Sequence, residues 1–274
     1  MKPVISGILS NSTSMNQLFK RNLIKKYLQI IILDFIYSSQ SLKNLIFYGG
    51  SCLAHCYNLP RLSEDLDFID SKQEIDLKIM EDDIKKYFKT DTDLTVKTTI
   101  QKFRIYLKFP ILREFGLSNL SETDDLFIKI EVYNDIKYCK NYKTITIPIF
   151  NYNKSILVQS FDLPTLMATK VRAILFRKWE KTDKFGKTTI FFKGRDFFDL
   201  MWFLEKKVNP NIDCIENFNT TKELYKELLS KVELIDPLSI QLDLESFVES
   251  KEYVLNLSKS IKEILIRQIK GILE

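Results

Sequence analysis

Asp65 and Asp67, separated by one residue, are the pair in this chain best suited to chemistry. Read as a strand, Asp65-Leu66-Asp67-Phe68 puts both carboxylates on one sheet face, roughly 7 Å apart along it. Two such charges repel and lose solvation if left alone. A divalent cation between them removes that cost. Mg²⁺ takes about six oxygens, usually one or two carboxylates completed by substrate phosphates and water. Just upstream stands Gly49-Gly50-Ser51, which holds two of the chain's seven glycines. Glycine permits φ > 0 and the close approach of a ligand. Leu45–Tyr48 reads as a buried strand, and Ser51 as the N-cap of a short helix over Cys52–Tyr57. Strand, glycine turn and helix start together make an anion site, because unused N–H groups and the helix dipole point at one spot. A phosphate cradle followed by a metal clamp is equipment for moving a nucleotidyl or phosphoryl group from an NTP.

A second chemical feature is Lys170. Phe161-Asp162-Leu163-Pro164-Thr165 is a helix start, with Asp162 as N-cap and Pro164 in the first turn. Leu163, Met167, Val171 and Ile174 form the apolar stripe, and Lys170 falls on it. Burying an ammonium without a partner is expensive, so Lys170 either snorkels to water or meets an anion. An ammonium kept for a ligand predicts that Lys170→Met leaves stability unchanged or higher. Between Arg177 and Arg195 lie seven basic residues interleaved with Trp179, Phe185, Phe191 and Phe192. That mixture fits a nucleic-acid backbone with stacked bases, or a lysine-rich hairpin between helices. Asp196 and Asp199 then sit one turn apart on the next helix, sharing a face.

The pattern Gly49-Gly50-Ser51, short helix, Arg61-x-Ser63-x-Asp65-x-Asp67 resembles the DNA-polymerase-β-like nucleotidyltransferases. Within them it is most similar to the AbiEii/AbiGii toxin family, which includes the MenT toxins. The likeness covers Leu45–Asp70 and returns at Lys170 and in Arg195-Asp196-x-x-Asp199-Leu200. It implies an α/β nucleotidyltransferase domain with a mixed sheet and a C-terminal helical domain. It implies that Gly49, Gly50, Ser51, Arg61 and Ser63 bind the nucleotide, and that Asp65 and Asp67 hold Mg²⁺ or Mn²⁺. Lys170 then faces the triphosphate, with Asp196 as a further catalytic residue that holds Lys170 when no NTP is bound. Folds of this kind place a third carboxylate on a later strand, and Glu131 is the candidate. It completes the metal site or takes the proton of the acceptor hydroxyl; the alternative is an ion pair with Lys129. The implied activity is that of a toxin from a toxin–antitoxin or phage-defence pair, moving NMP from an NTP to RNA, with the tRNA 3′ end as the expected acceptor and a cognate antitoxin as partner. Alternatives are a nucleotidyltransferase acting on a small hydroxyl compound, a glycosyltransferase, or a non-catalytic nucleotide-binding module.

These residues need elements to position them. With 274 residues and 45% hydrophobic content, the chain suffices for one large or two modest domains. Met15–Tyr37 reads as an amphipathic helix, with Lys20, Arg21, Lys25 and Lys26 opposite its apolar face. A second such helix ends near Thr90. Strand-like runs follow at Leu94–Ile100, Phe103–Phe109, Leu126–Tyr133 and Lys143–Ile149. In Phe127–Tyr133, Ile128, Ile130 and Val132 take one face, Lys129 and Glu131 the other. From about Ser160 the pattern is helical, with breaks near Asp236-Pro237 and Glu249. This divides the chain into residues 1–158, the α/β domain, and 159–274, the helical domain.

Composition narrows the function classes. A single histidine, His55, leaves no His-rich metal site and little room for a Ser-His-Asp triad. Four cysteines without short paired spacing argue against a disulfide framework or a zinc knuckle. Cys52 and Cys56, one turn apart, read as buried thiols. The N-terminus lacks the pattern of a signal peptide, and no run is apolar enough to span a membrane. The expectation is a reducing, cytoplasmic setting. The net charge of +5 permits nucleic-acid binding without demanding it.

Overall fold

A computed structural model describes residues 1–177, 181–182, 188–190 and 192–274. They form two compact units, Met1–Ile136 with Thr144–Ser160, and Lys137–Lys143 with Phe161–Glu274.

The first unit is a mixed α/β layer. Its helices are α1 (Lys2–Ser10), α2 (Gln17–Ser38), α3 (Gly49–Cys56) and α4 (Leu77–Asp91). Its strands are β1 (Ile46–Tyr48), β2 (Leu66–Ile69), β3 (Lys97–Gln101), β4 (Arg104–Pro110), β5 (Asp125–Tyr133), β6 (Thr144–Asn151) and β7 (Lys154–Phe161). They make a seven-stranded sheet in the order β3-β4-β5-β2-β1-β7-β6. The centre is mixed: β1 runs antiparallel to β2, and β2 runs parallel to β5. β1 pairs on its other side, parallel, with β7. Phe47 and Phe68, fully buried and stacked at 5.3 Å, fill the core behind the two central strands.

Several expectations change here. α2 is not a helix with one buried stripe. Ile24, Leu28, Ile30, Ile31, Ile32, Leu33 and Ile36 are all buried, which covers most of its circumference. Of its basic residues, Arg21 and Lys25 pair with Glu122 and Glu64. β7 is an element that the sequence reading passes over. Its buried Ile156, Val158 and Ser160 alternate after a turn in which Tyr152 and Asn153 both have positive φ. Alternation after an Asn-rich turn is the hairpin signal that identifies it.

In the second unit α5 (Leu163–Phe176) is capped by Asp162, whose side chain accepts from the Thr165 amide. Short strands β8 (Lys181–Thr182) and β9 (Thr188–Ile190) pair, and α6 (Gly194–Glu205) follows. A Cβ on Gly194 would press on the backbone of Ile240, 2.8 Å away, in α8 (Pro237–Leu244). α7 (Thr221–Glu233) and α9 (Lys251–Leu273) complete the unit. The breaks near Asp236-Pro237 and Glu249 correspond to the caps Asp236 and Ser250, each accepting from a backbone amide. Sequence spacing argues against a disulfide framework, yet Cys139 and Cys214 are joined in a disulfide across 75 residues. Their separation hides the pairing from spacing arguments. Cys52 and Cys56 remain thiols. No helix among the described residues is long and apolar enough to cross a membrane.

His55 gives the first unit a pH dependence. Its Nε2 lies 2.9 Å from Gln29 Oε1, and Gln29 Nε2 donates to the Ser63 carbonyl at 3.1 Å. Burial, helped by the charge of Lys26, lowers the imidazole pKa to about 3. The folded chain thus keeps His55 neutral while the unfolded chain protonates it near pH ~6.5. Stability is intact above that value and falls as acidification proceeds towards the folded pKa. Melting temperature should decline below about pH 6.5, and His55→Gln should flatten the decline. Equal slopes in the two proteins would place the acid lability elsewhere.

Candidate active site

In the first unit the site grows from the junction of β1 and α3. The strand ends at Tyr48, and the helix starts at once on Gly49, whose φ is +80°. A side chain here is opposed twice, by that left-handed backbone and by Asp67, whose Oδ2 occupies the space a Cβ would take. Gly50 is required by its neighbours: a Cβ on it would lie 2.8 Å from Arg61 Nη2 and 2.9 Å from Ser63 Oγ. Both glycines exist so that Asp67, Arg61 and Ser63 can close on the backbone. Arg61 is buried and donates from Nη1 to the Leu62 carbonyl at 2.8 Å. Ser51 differs from the expected N-cap. It lies inside the first turn of α3, fully buried, and its hydroxyl donates to the Asp65 carbonyl. It ties the helix to the Asp65 turn.

Sheet register arranges the acids. Asp67 on β2 is opposite Tyr48 on one side and Glu131 on the other. Arg104 on β4 is opposite Glu131 in turn. Asp65 stands just before β2, with its Oδ2 2.9 Å from Lys129 Nζ. Lys129 also reaches Glu131 Oε1 at 2.8 Å. Tyr133 Oη donates to Glu131 Oε2 at 2.5 Å. Arg104 Nε lies 2.9 Å from Glu131 Oε1, a charge contact without the alignment of a hydrogen bond. Desolvation would push the Glu131 carboxyl up; the hydrogen bonds from Lys129 and Tyr133 and the nearby cations outweigh it and hold the carboxyl below the usual range. Asp65 goes the other way. Desolvation raises it, and Lys129 offsets only part. With 39% of that side chain open to water, the rise is modest.

Do these residues suit a divalent cation? Asp65 and Asp67 do, in the mode where one or two carboxylates are completed by phosphate and water oxygens. Asp65 is the more exposed of the two acids that Lys129 contacts, at 39% against 7% for Glu131. Glu131 differs from Asp65 in its number of partners: Lys129, Arg104 and Tyr133 all contact its oxygens. Among the described residues no group of three or more His, Cys, Asp or Glu side chains is placed to hold a metal ion.

The second unit carries the other group. Lys170 on α5 is 13% exposed, and its Nζ lies 2.8 Å from Asp199 Oδ2 and 3.5 Å from Asp196 Oδ1. Asp199 is fully buried and is the closer partner, where the expected partner is Asp196. Asp196 also takes Arg177, Nη1 to Oδ2 at 2.9 Å. Ala173, Ile174, Arg177, Lys193 and Asp196 line a hollow beside it. Burial, then the charges of Arg195 and Arg177, lower the Lys193 pKa. The hollow is thus lined by two cations and by Asp196, which already pairs with Arg177.

A family model for the nucleotidyl transferase AbiEii toxin of type IV toxin–antitoxin systems matches residues 32–267. The chain belongs to the AbiEii family. It is a nucleotidyltransferase toxin of that class, which implies an NTP substrate and a cognate antitoxin. No curated protein matches the chain. Among solved structures it is similar to a candidate nucleotidyltransferase from H. pylori, at 15% identity over 89% of this chain and 96% of that one, TM-score 0.48. It is also similar to JHP933 from Helicobacter pylori, at 16% identity over 92% and 94%, TM-score 0.46. The AbiEii match spans Asp65, Asp67, Lys170 and Asp196 alike. Sequence reasoning missed Lys129 as a bridge, together with Arg104, Tyr133 and Arg177. Lys129 was visible only as a possible partner of Glu131 on the same strand face.

Proposed function

We propose that this AbiEii-family chain transfers a nucleotidyl group from an NTP to the 3′ end of an RNA, with tRNA as the acceptor class, in a Mg²⁺- or Mn²⁺-dependent reaction. The observation that carries the reading is the closure of Asp67, Arg61 and Ser63 on Gly49-Gly50, with Asp65 alongside. The start of α3 offers its backbone N–H groups to phosphate, and the buried Arg61 guanidinium adds a fixed positive charge. Asp65 and Asp67 would hold the metal, which when bound offsets charge developing as pyrophosphate leaves. Lys170 would supply an ammonium to the triphosphate, and Asp199 and Asp196 set where that ammonium points. The acceptor hydroxyl attacks the α-phosphorus, the bond to the β-phosphate oxygen breaks, and the hydroxyl proton passes to a base. Growth arrest, phage defence and action in the cytoplasm follow from that role.

RNA as acceptor is supported by the basic, aromatic segment between Arg177 and Arg195. Lys178, Trp179, Lys184, Phe185, Lys187 and Phe191 of that segment lie outside the described residues. Incubation with labelled NTPs, Mg²⁺ and total RNA should yield a labelled RNA band. Replacing Lys181, Lys184 and Lys187 by Ala should weaken RNA binding and flatten its salt dependence by roughly one unit of log–log slope per lost phosphate contact. Labelling only of small hydroxyl compounds, or an unchanged slope, would take RNA out of the reading.

A further inference from the structure

The Asp65–Glu131 corner of the site already holds cations of its own. Lys129 Nζ bridges Asp65 Oδ2 at 2.9 Å and Glu131 Oε1 at 2.8 Å, and Arg104 Nε adds a second cation 2.9 Å from Glu131 Oε1. Lys129 and Arg104 thus face Asp65 and Glu131, and Asp67, paired with Glu131 across the strands, adds a third acid. The bridge has a structural cause. Lys129 and Glu131 are two apart on β5 and so share a face, and parallel pairing sets Asp67 beside Glu131. A divalent ion entering this corner alone meets an ammonium on one of its own ligands, and like charges at that range repel strongly when partly desolvated.

We propose that Lys129 is a resident cation that takes one cation position of the site and keeps divalent metal out until a nucleoside triphosphate brings its own negative charge. The inference rests on Asp65 and Asp67 being metal ligands in the reading above. A triphosphate carries about four negative charges at neutral pH, enough to reverse the local balance. Metal then binds together with nucleotide, with Lys129 turned between Glu131 and the phosphates. Lys129 is a positioning residue here: it touches the acids and sets when they are available. The resting toxin would carry no metal, and its site would be armed by substrate alone.

Mn²⁺ titration of the full chain, followed by electron paramagnetic resonance, reads this without turnover. Wild type should bind Mn²⁺ weakly alone and tightly with a non-hydrolysable NTP analogue. Lys129→Met keeps the stem, leaves Glu131 its contacts to Arg104 and Tyr133, and should tighten nucleotide-free Mn²⁺ binding roughly ten- to a hundredfold. Lys129→Arg retains the charge and should behave as wild type. Equal nucleotide-free affinity in wild type and Lys129→Met, with analogue-dependent binding in both, would overturn the role of Lys129 while leaving the metal pair standing. Absence of Mn²⁺ binding in every protein, with and without analogue, would remove the metal pair and Lys129's role with it.

Discussion

Asp67→Asn should abolish nucleotidyl transfer, by roughly a thousandfold or more, while the protein stays folded. Asp67 is the acid most tightly built into the site. Its strand partners are Tyr48 and Glu131, and Gly49 lacks a side chain in the space its carboxylate fills. Asparagine has nearly the same shape, so the packing over Gly49 survives. What is lost is a charged oxygen ligand. A thousandfold is about 4 kcal/mol of transition-state stabilisation, within what removal of one fixed electrostatic contact can cost. Asp65→Asn should match it in activity and differ in stability. Desolvation raises the Asp65 pKa in the folded chain, so folding favours its protonated form. Ionised Asp65 is then a small burden on the fold at neutral pH, and removing its charge should hold or raise the melting temperature. Rates from single-turnover transfer, set beside thermal melts, decide both points. Near-normal turnover in either folded variant would dissolve the clamp.

Much of this site is readable in the sequence because it is local. Gly49-Gly50, Arg61, Ser63, Asp65 and Asp67 fall within one strand–helix–strand unit, and their spacing nearly dictates their meeting. The cap at Asp162 and the breaks before Pro237 and Lys251 are also local signals, and the structure has helix starts there. What the sequence hides is choice among equals. Ser51 can cap a helix or bond the next turn, and the second wins because α3 begins at Gly49, three residues earlier than a cap at Ser51 allows. Lys129 and Glu131 share a strand face, but only the pairing of β2 with β5 shows that Asp65 also comes within reach. β7 is missed because its alternation is short and mixes Ser160 and Gln159 with apolar residues, yet it flanks β1 and takes the Tyr37 hydroxyl at Gln159. The Cys139–Cys214 bond depends on a long-range approach that no spacing reveals.

Lys170→Met should cost both stability and nucleotide affinity, against the sequence expectation that it leaves stability unchanged or higher. That expectation treats the ammonium as held for a ligand and otherwise idle. In the folded chain it is instead the counter-charge of Asp199, a carboxylate with no exposed surface, at 2.8 Å. Removing one member of a buried pair leaves the other's charge desolvated, and such losses run to about 3–5 kcal/mol. Lys170 is 13% exposed and Asp199 has further contacts, so a loss on the order of 3 kcal/mol is expected. For a chain of this length that is a fall of roughly 5–10 °C in melting temperature. The double variant Lys170→Met, Asp199→Leu separates the two roles, since it removes both charges and restores an apolar contact. It should recover most of the lost stability and none of the nucleotide affinity, because nothing replaces the ammonium. If the double variant instead regained nucleotide binding, Lys170 would serve only to neutralise Asp199. Full stability in the single variant would mean that Arg177 and the remaining contacts of Asp196 and Asp199 already balance the buried acids without it.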